Sequence, residues 1–307
     1  MNDKIKYIVN PIAGQGAGKL ALPEIDRMAR ENSMDYDIVS TENAGHAIEL
    51  ARQAAIAGYS SIIAVGGDGT SNEVLNGIMQ AWYQGHRNTK MGIIGIGRGN
   101  DFAYGLGIPP GLQAGFQNIH KGNHRFMDVG HIVGGDYPQG RYFGNGVGIG
   151  FDAVVGFEAM KLTHIHGFLN YVVAALRTIF LFFNAPLVKI EIDEKVITQP
   201  SLMVSIMNGR RMGGGFMMAP DASTDDGLLN LCIVGQLSRI GILTMIPRFM
   251  KGTQALQPQI KTERAATVHI TALEGVLPVH ADGETICTAG SELKVDIIKQ
   301  PIEILAG

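Results

Sequence analysis

The stretch Ile62-Ile63-Ala64-Val65-Gly66-Gly67-Asp68-Gly69-Thr70-Ser71-Asn72-Glu73 decides how the chain folds. A short, unbroken apolar run suits a strand buried on both faces, as in a parallel sheet. Glycines end the strand, and from Ser71 to Met79 the apolar spacing becomes helical. A strand that turns through glycine into a helix aims backbone N–H groups, with the helix dipole behind them, at one point, and such a point binds phosphate. Asp68 would repel a bare phosphate, so its place in the loop makes sense with a divalent cation or water between the charges. The competing reading is a tight turn with Asp68 as a helix cap, but a cap does not require three glycines.

The same pattern extends to either side. Lys4–Val9 is an apolar run closed by Asn10-Pro11, and Lys19–Glu31 carries helical spacing at Leu22, Ile25, Met28 and Ala29. Asp37–Ser40, Ser61–Val65 and Met91–Ile96 read as strands, and His46–Ala57, Ser71–Met79 and Leu112–His120 as helices. This alternation predicts a parallel sheet covered by helices. Loops that follow parallel strands leave at one edge, so Asn10–Gly14, Gly66–Thr70 and Gly95–Ala103 are expected to line a nucleotide crevice. Taken alone, Asn10–Gly14 reads equally well as a plain turn. No Gly-x-Gly-x-x-Gly follows the first strand, and Gly-x-x-x-x-Gly-Lys-Ser/Thr is absent, so neither common nucleotide fingerprint applies.

Beyond Gly130 the texture changes to short β-rich runs separated by turn residues: Arg141–Phe143, Leu187–Ile192, Leu202–Met207, Leu228–Ile233, Thr267–Thr271 and Leu293–Ile298. These predict an antiparallel sandwich. Two helical stretches interrupt it, Phe151–Phe183 and Leu237–Met250, the second with Ser238 as N-cap and Pro247 kinking or ending its last turn. The apolar run Gly167–Phe183 is shorter than the ~20 residues a membrane span needs. Its Phe168, Leu169, Val172, Val173, Leu176, Ile179, Phe180, Phe182 and Phe183 would either face a lipid or fill the sandwich core. Arg239, Arg248, Lys251, Lys261 and Arg264 stand against the single acid Glu263 in Leu237–Arg264, which suits an anionic membrane surface or a solvated helix face.

Two acidic turns stand out in this half. Ala219-Pro220-Asp221-Ala222-Ser223-Thr224-Asp225-Asp226-Gly227 follows Asn208–Gly215 and suits either a hard cation or an ordinary solvated turn. His280-Ala281-Asp282-Gly283-Glu284 places two carboxylates around a glycine: on an extended strand they share a face, in a hairpin turn they do not. The nine histidines show no metal-ligand spacing and read as surface or hinge positions, with His164-Ile165-His166 read as part of a strand.

With 307 residues, 46% hydrophobic and 17% charged, the chain predicts two domains. A net charge of −3 argues against a nucleic-acid partner. Two cysteines, Cys232 and Cys287, give no disulfide framework, and the N-terminal apolar run breaks too early, at Pro11, for a signal peptide, so a cytoplasmic protein is expected.

Taken in order, Asn10–Gly14, Gly66-Gly67-Asp68-Gly69-Thr70 with Asn72-Glu73, Gly99–Phe102, Asn208-Gly209, Pro220 through Asp226-Gly227, and Asp282-Gly283-Glu284 resemble the diacylglycerol kinase catalytic family over nearly the whole chain. The resemblance implies a phosphofructokinase-like α/β nucleotide-binding domain, residues 1–130, rejoined by about 297–307. A β-sandwich domain, residues 131–296, would handle the lipid and a metal, with the active site in a cleft between the two. It implies an ATP- and Mg2+-dependent kinase that phosphorylates the hydroxyl of diacylglycerol or a related lipid at the inner membrane surface. The oligomeric state stays open, a homodimer included. Asn10, Thr41 and Gly66, Gly67, Asp68, Gly69, Thr70, Ser71, Asn72 and Glu73 would meet the nucleotide, with Arg98, Asn100 and Asp101 at the phosphate edge. Asp226, with the carbonyls near Ser223 and Leu228, would hold a structural magnesium ion, while Asp282 and Glu284 would supply the general base beside Asp68. Arg98 stands where the family usually has Thr, and Tyr104 where it often has Arg. The rival readings are a kinase of NAD or a sugar phosphate, and a non-catalytic lipid- or nucleotide-binding regulator on the same fold.

Overall fold

A computed structural model describes residues 4–162, 164–165, 167–181 and 185–306. His166, Phe182 and Phe183, singled out above, lie outside the described residues. The chain divides into two units, Met1–Val129 with Lys299–Gly307, and Gly130–Ile298.

The first unit runs β1 (Ile5–Val9), α1 (Ala13–Glu31), β2 (Tyr36–Ser40), α2 (His46–Ile56), β3 (Ser61–Gly66), α3 (Asp68–Tyr83), β4 (Lys90–Gly95), α4 (Asp101–Gly105) and α5 (Leu112–Lys121). The strands lie parallel in the order β4-β3-β1-β2. The register pairs Val9 with both Ser40 and Val65, and Gly66 with Gly95, so all four strands end at one level. Ile62, Ile63, Ala64 and Val65 are all fully buried, as a strand covered on both faces requires. At the far side of β4, Ile304 of the C-terminal strand pairs in parallel with Met91.

The second unit follows β5 (His124–Gly134), which carries the chain out of the first. It contains β6 (Tyr137–Phe143), β7 (Gly146–Gly150), α6 (Phe151–Lys161), α7 (Phe168–Leu181), β8 (Leu187–Ile192), β9 (Lys195–Met207), β10 (Leu229–Gly235) and α8 (Arg239–Lys251). Then come β11 (Ile260–Ala265), β12 (Thr267–Glu274), β13 (Leu277–Ala281), β14 (Glu284–Gly290) and β15 (Glu292–Leu305), which returns to the first unit. The pairings within the unit are antiparallel, and β9 joins two sheets: Lys195–Pro200 pairs with β8, while the part after Pro200 pairs with β7 and β10. The two inner faces meet at Ile190, Val204, Ile206, Leu231, Ile270 and Val279, the sandwich core.

β9 and β10 are buried on their outer face as well. Leu202, Met203, Met207, Cys232 and Val234 point away from the sandwich core and pack with Phe151, Ala174, Ile179, Ile242, Met245 and Phe249 of the three helices. The second unit is therefore two sheets with a helical layer, which is why Leu202–Met207 is apolar at every position but Ser205 where a half-solvated strand would alternate.

Three local expectations change. The stretch Phe151–Phe183 divides into two helices, and His164 lies in the turn between them, not on a strand. Pro247 does not end α8, which continues to Lys251 and closes on Gly252 in the left-handed conformation. Among the described residues, no helix is long and apolar enough to cross a membrane.

Where α3 crosses α2, a Cβ on Gly77 would stand 2.2 Å from the Ile48 carbonyl oxygen and 2.7 Å from Ala51 Cβ. Helix propensity alone says that Gly77→Ala stabilises by ~1 kcal/mol. Overpacking against backbone that cannot yield costs ~1–3 kcal/mol, so a lower melting temperature is expected in thermal unfolding.

Candidate functional site

In the first unit, three loops meet at the shared strand end. A Cβ on Gly14 would lie 2.2 Å from the Ile96 carbonyl oxygen, and one on Gly97 would lie 2.4 Å from Gly67 Cα, so the backbones touch where no side chain fits. Asn10 ties two of the loops together: its N–H donates to the Val65 carbonyl at 2.9 Å and its Nδ2 to Thr70 Oγ1 at 3.1 Å. Thr41, just past β2, donates its N–H to the Val9 carbonyl at 2.9 Å. No side chain caps the start of α3, and first-turn N–H groups have no acceptor within their own helix. The chemistry of that edge, backbone donors on a glycine floor, suits phosphate oxygens.

Several acidic and amide side chains here also brace the fold. Asp68 Oδ1 accepts the Phe102 N–H at 2.9 Å, linking the Gly66–Thr70 loop to α4. Glu73 accepts from the Gly45 and Ala47 N–H groups at 2.8 and 3.0 Å and so closes the start of α2. Asn100, in the left-handed region at φ 52°, bonds both the N–H and the carbonyl of Gly97. Ser71, Asn72 and Asp101 are buried, whereas Arg98 and Tyr104 are exposed.

In the second unit, Asp282 is 3% exposed at φ 47°. Its carboxylate accepts three successive backbone N–H groups, from Gly144 at 2.7 Å, Asn145 at 3.0 Å and Gly146 at 2.8 Å. Asn208 grips the same turn, donating Nδ2 to the Gly144 carbonyl at 2.8 Å and its N–H to the Asn145 carbonyl at 2.9 Å. The motifs Asn208-Gly209 and Asp282-Gly283-Glu284 thus converge on one turn, Gly144–Gly146. Glu284 is different: its side chain is 35% exposed and lies 4.0 Å from the guanidinium of the buried Arg141.

A small apolar pocket opens among α6, α7, α8 and the sheet, walled by Phe151, Ala175, Met203, Phe216, Ile242 and Phe249 among other apolar side chains. Asp152, at the first turn of α6, is the one charged residue that lines it. Ser205 Oγ donates to Asp152 at 3.1 Å, and His280 Nε2 stands 3.7 Å from its other oxygen. Burial, then the nearby Asp152 charge, pushes the neighbouring Cys232 thiol up to about 12, so it stays protonated. The described residues of α7 do not fill the sandwich core: Ile179 is buried between the helices and the outer face of the sheet, with Phe168 and Val172 packed against the same cluster, while Leu169, Leu176 and Phe180 are exposed.

Asp226 brings a carboxylate, and Ser223 and Leu228 bring carbonyls, to one turn, the oxygen donors a hard cation takes. That donor set fits magnesium, although the Asp226 carboxylate also pairs with the Arg264 guanidinium and accepts the Leu228 N–H at 3.0 Å. Among the described residues, no three His, Cys, Asp or Glu side chains cluster as a metal site.

A model of the diacylglycerol kinase catalytic domain matches residues 4–132, and a model of the YegS C-terminal NAD kinase beta sandwich-like domain matches residues 145–305. The chain belongs to the diacylglycerol kinase family. A diacylglycerol kinase of Staphylococcus carnosus is 29% identical over 310 residues, which span 99% of this chain and 95% of the relative. One from Staphylococcus aureus is 30% identical over 288 residues, spanning 92% and 87%. A crystal structure of a Bacillus anthracis protein assigned to the diacylglycerol kinases superposes with TM-score 0.81 at 26% identity, over 99% of this chain and 95% of that one. Yeast NADH kinase shares the fold alone, with TM-score 0.51 at 12% identity over 99% and 83% of the two chains.

In this diacylglycerol kinase family member, sequence reasoning singles out neither Asn145 nor Asp152, and it places His280 among surface or hinge positions. Asn145 lies within the glycine cluster Gly144–Gly150 and Asp152 just after it, and that cluster is the signal that could have drawn attention to them. His280 is not a surface or hinge residue: its side chain is 12% exposed, and β13 packs its ring against β7 and α6. Replacing Asp282 by Ala leaves three buried N–H donors without an acceptor at ~1–3 kcal/mol each. Urea unfolding of Asp282→Ala is expected to show a loss of about 3 kcal/mol or more, with Asp282→Asn losing less because it keeps one carbonyl oxygen.

Proposed function

We propose that the chain is an ATP-dependent lipid kinase that moves the γ-phosphoryl group to the hydroxyl of diacylglycerol or a related lipid. The observation that carries the lipid half is the cavity: its wall is apolar except for Asp152, a lining suited to acyl chains and not to a sugar or a dinucleotide. The nucleotide half is supported by the glycine-floored loops and the uncapped start of α3.

Phosphoryl transfer depends on positioning and charge neutralisation more than on covalent chemistry by the protein. In this reading, Gly66–Thr70 and the Gly95–Ala103 loop hold the phosphates, with Asn10 and Thr41 bordering the nucleotide. The lipid oxygen attacks the γ-phosphorus while the bond to the bridging β,γ-oxygen breaks and ADP leaves; the proton of the hydroxyl passes to Glu284. Glu284 is assigned this role over Asp282 because the Asp282 oxygens already hold Gly144–Gly146, whereas Glu284 is partly exposed and stands 4.0 Å from Arg141. Asp282 then acts as a positioning residue for the turn. A structural magnesium ion, when bound, would be held by Asp226 with the carbonyls of Ser223 and Leu228 and would add positive charge to that turn.

Incubation of the protein with γ-labelled ATP, magnesium and a total lipid extract, followed by thin-layer separation, is expected to place label in a lipid band; label in NADP or a sugar phosphate, or in no product, overturns the reading. Glu284→Gln is expected to lower kcat ~10²–10⁴-fold with ATP affinity retained, as loss of a general base does. Wild-type turnover in Glu284→Gln would remove Glu284 from the mechanism. For the metal, Arg264→Ala is expected to enlarge the rise in melting temperature on adding magnesium without nucleotide, and Asp226→Ala to abolish it, since an ion bound only to the native state raises its stability.

A further inference from the structure

α7 and α8 are apolar on the side that faces water. The inner face of α7 is Asn170, Ala174, Ala175, Thr178 and Ile179, all buried. Its outer face nevertheless carries Leu169 at 61% exposure, Leu176 at 41% and Phe180 at 75%. These sit at positions i, i+7 and i+11, one stripe of a helix. α8 repeats the arrangement, with Ile242, Met245 and Phe249 inside and Ile240, Leu243 and Met250 outside, Ile240 being 75% exposed. The Arg239 guanidinium stands over the Phe180 ring, 5.8 Å from its centroid, so the end of α7 and the start of α8 lie side by side. Single exposed apolar side chains are ordinary on a protein surface, but six large ones on two adjacent helices mark a contact surface.

The charges select what that surface meets. The two helices contain Arg177, Arg239, Arg248 and Lys251 and not one Asp or Glu. The carboxylate nearest Arg177 is Glu158 of α6, 3.7 Å away and 5% exposed, beneath the surface. Apolar side chains interleaved with cations complement an anionic lipid surface. A second copy of the chain fits poorly, because a two-fold contact sets the same patch against itself and brings like charges together. The same two helices wall the cavity through Ala175, Ile242, Met245 and Phe249.

We propose that the outward faces of α7 and α8 are a docking surface for a bilayer containing anionic phospholipid. Leu176, Phe180, Ile240 and Leu243 enter the acyl region while Arg177 and Arg239 meet the headgroups. The proposal deepens the lipid-kinase reading by naming where the substrate would be collected, but the binding it predicts needs no turnover.

The test is sedimentation of the full chain with vesicles of phosphatidylcholine alone or of an equal mixture with phosphatidylglycerol. Wild type is expected to sediment with the mixture more strongly than with phosphatidylcholine alone. Phe180→Ser with Ile240→Ser should lower partitioning by at least about tenfold, and Arg177→Glu with Arg239→Glu by about fivefold or more per arginine on the mixed vesicles only. Both variants should keep the wild-type circular dichroism and the wild-type turnover of a monomeric short-chain diacylglycerol. Unchanged partitioning of Phe180→Ser/Ile240→Ser overturns the proposal. So does a wild-type dimer in light scattering that this variant dissolves, since the face would then be a self-association surface. Vesicle binding that follows these expectations without lipid phosphorylation keeps the docking surface and refutes the kinase reading, and the reverse pair of results refutes the surface alone.

Discussion

Gly67 and Gly97 lie so close that a Cβ on Gly97 would fall 2.4 Å from Gly67 Cα, and Gly14 is under the same constraint against Ile96. Backbone-to-backbone contact at the ends of β1, β3 and β4 is what lets three loops share one small area. It follows from the strands ending at one level, since parallel pairing sends every following loop to the same edge. Side chains that could have pointed outward are then recruited to fix the loops: Asn10 to Thr70, Asp68 to Phe102, Asn100 to Gly97. The main-chain N–H groups of this edge are donors that neither titrate nor change length.

The second unit solves a similar problem with a carboxylate. Three consecutive N–H groups of Gly144–Gly146 converge on Asp282, and Asn208 takes the carbonyl side of the same turn. Two segments far apart in sequence thereby fix a third. Glu284, two residues on, is left half in solvent beside Arg141. Position along the chain makes these acids look equivalent, but their surroundings separate them: one is enclosed by backbone donors and the other lies partly exposed beside Arg141.

Two-sided burial of β9 and β10 links fold to cavity. Because the outer face of these strands is apolar, a helical layer must cover it, and the three helices leave space between their side chains. The cavity is the residue of that imperfect cover, and Asp152 marks its polar end. The outward apolar faces of α7 and α8 show that the layer is itself covered on only one side.

Local pattern determined much of this protein. Apolar runs alternating with helical spacing specified the parallel sheet, and glycine after strand specified the loops, because both signals are encoded within a few residues. The resemblance carried by Gly66–Thr70, Asn208-Gly209 and Asp282-Gly283-Glu284 pointed to the family that the comparisons show. Tertiary structure alone decided that Asp282 is enclosed while Glu284 is half-buried, that Asp226 faces Arg264, and that His280 and Asp152 meet beside the cavity. Each of these depends on strands brought together from more than thirty residues apart, and no short-range pattern of apolar and polar residues records which side chain will find which partner at that distance.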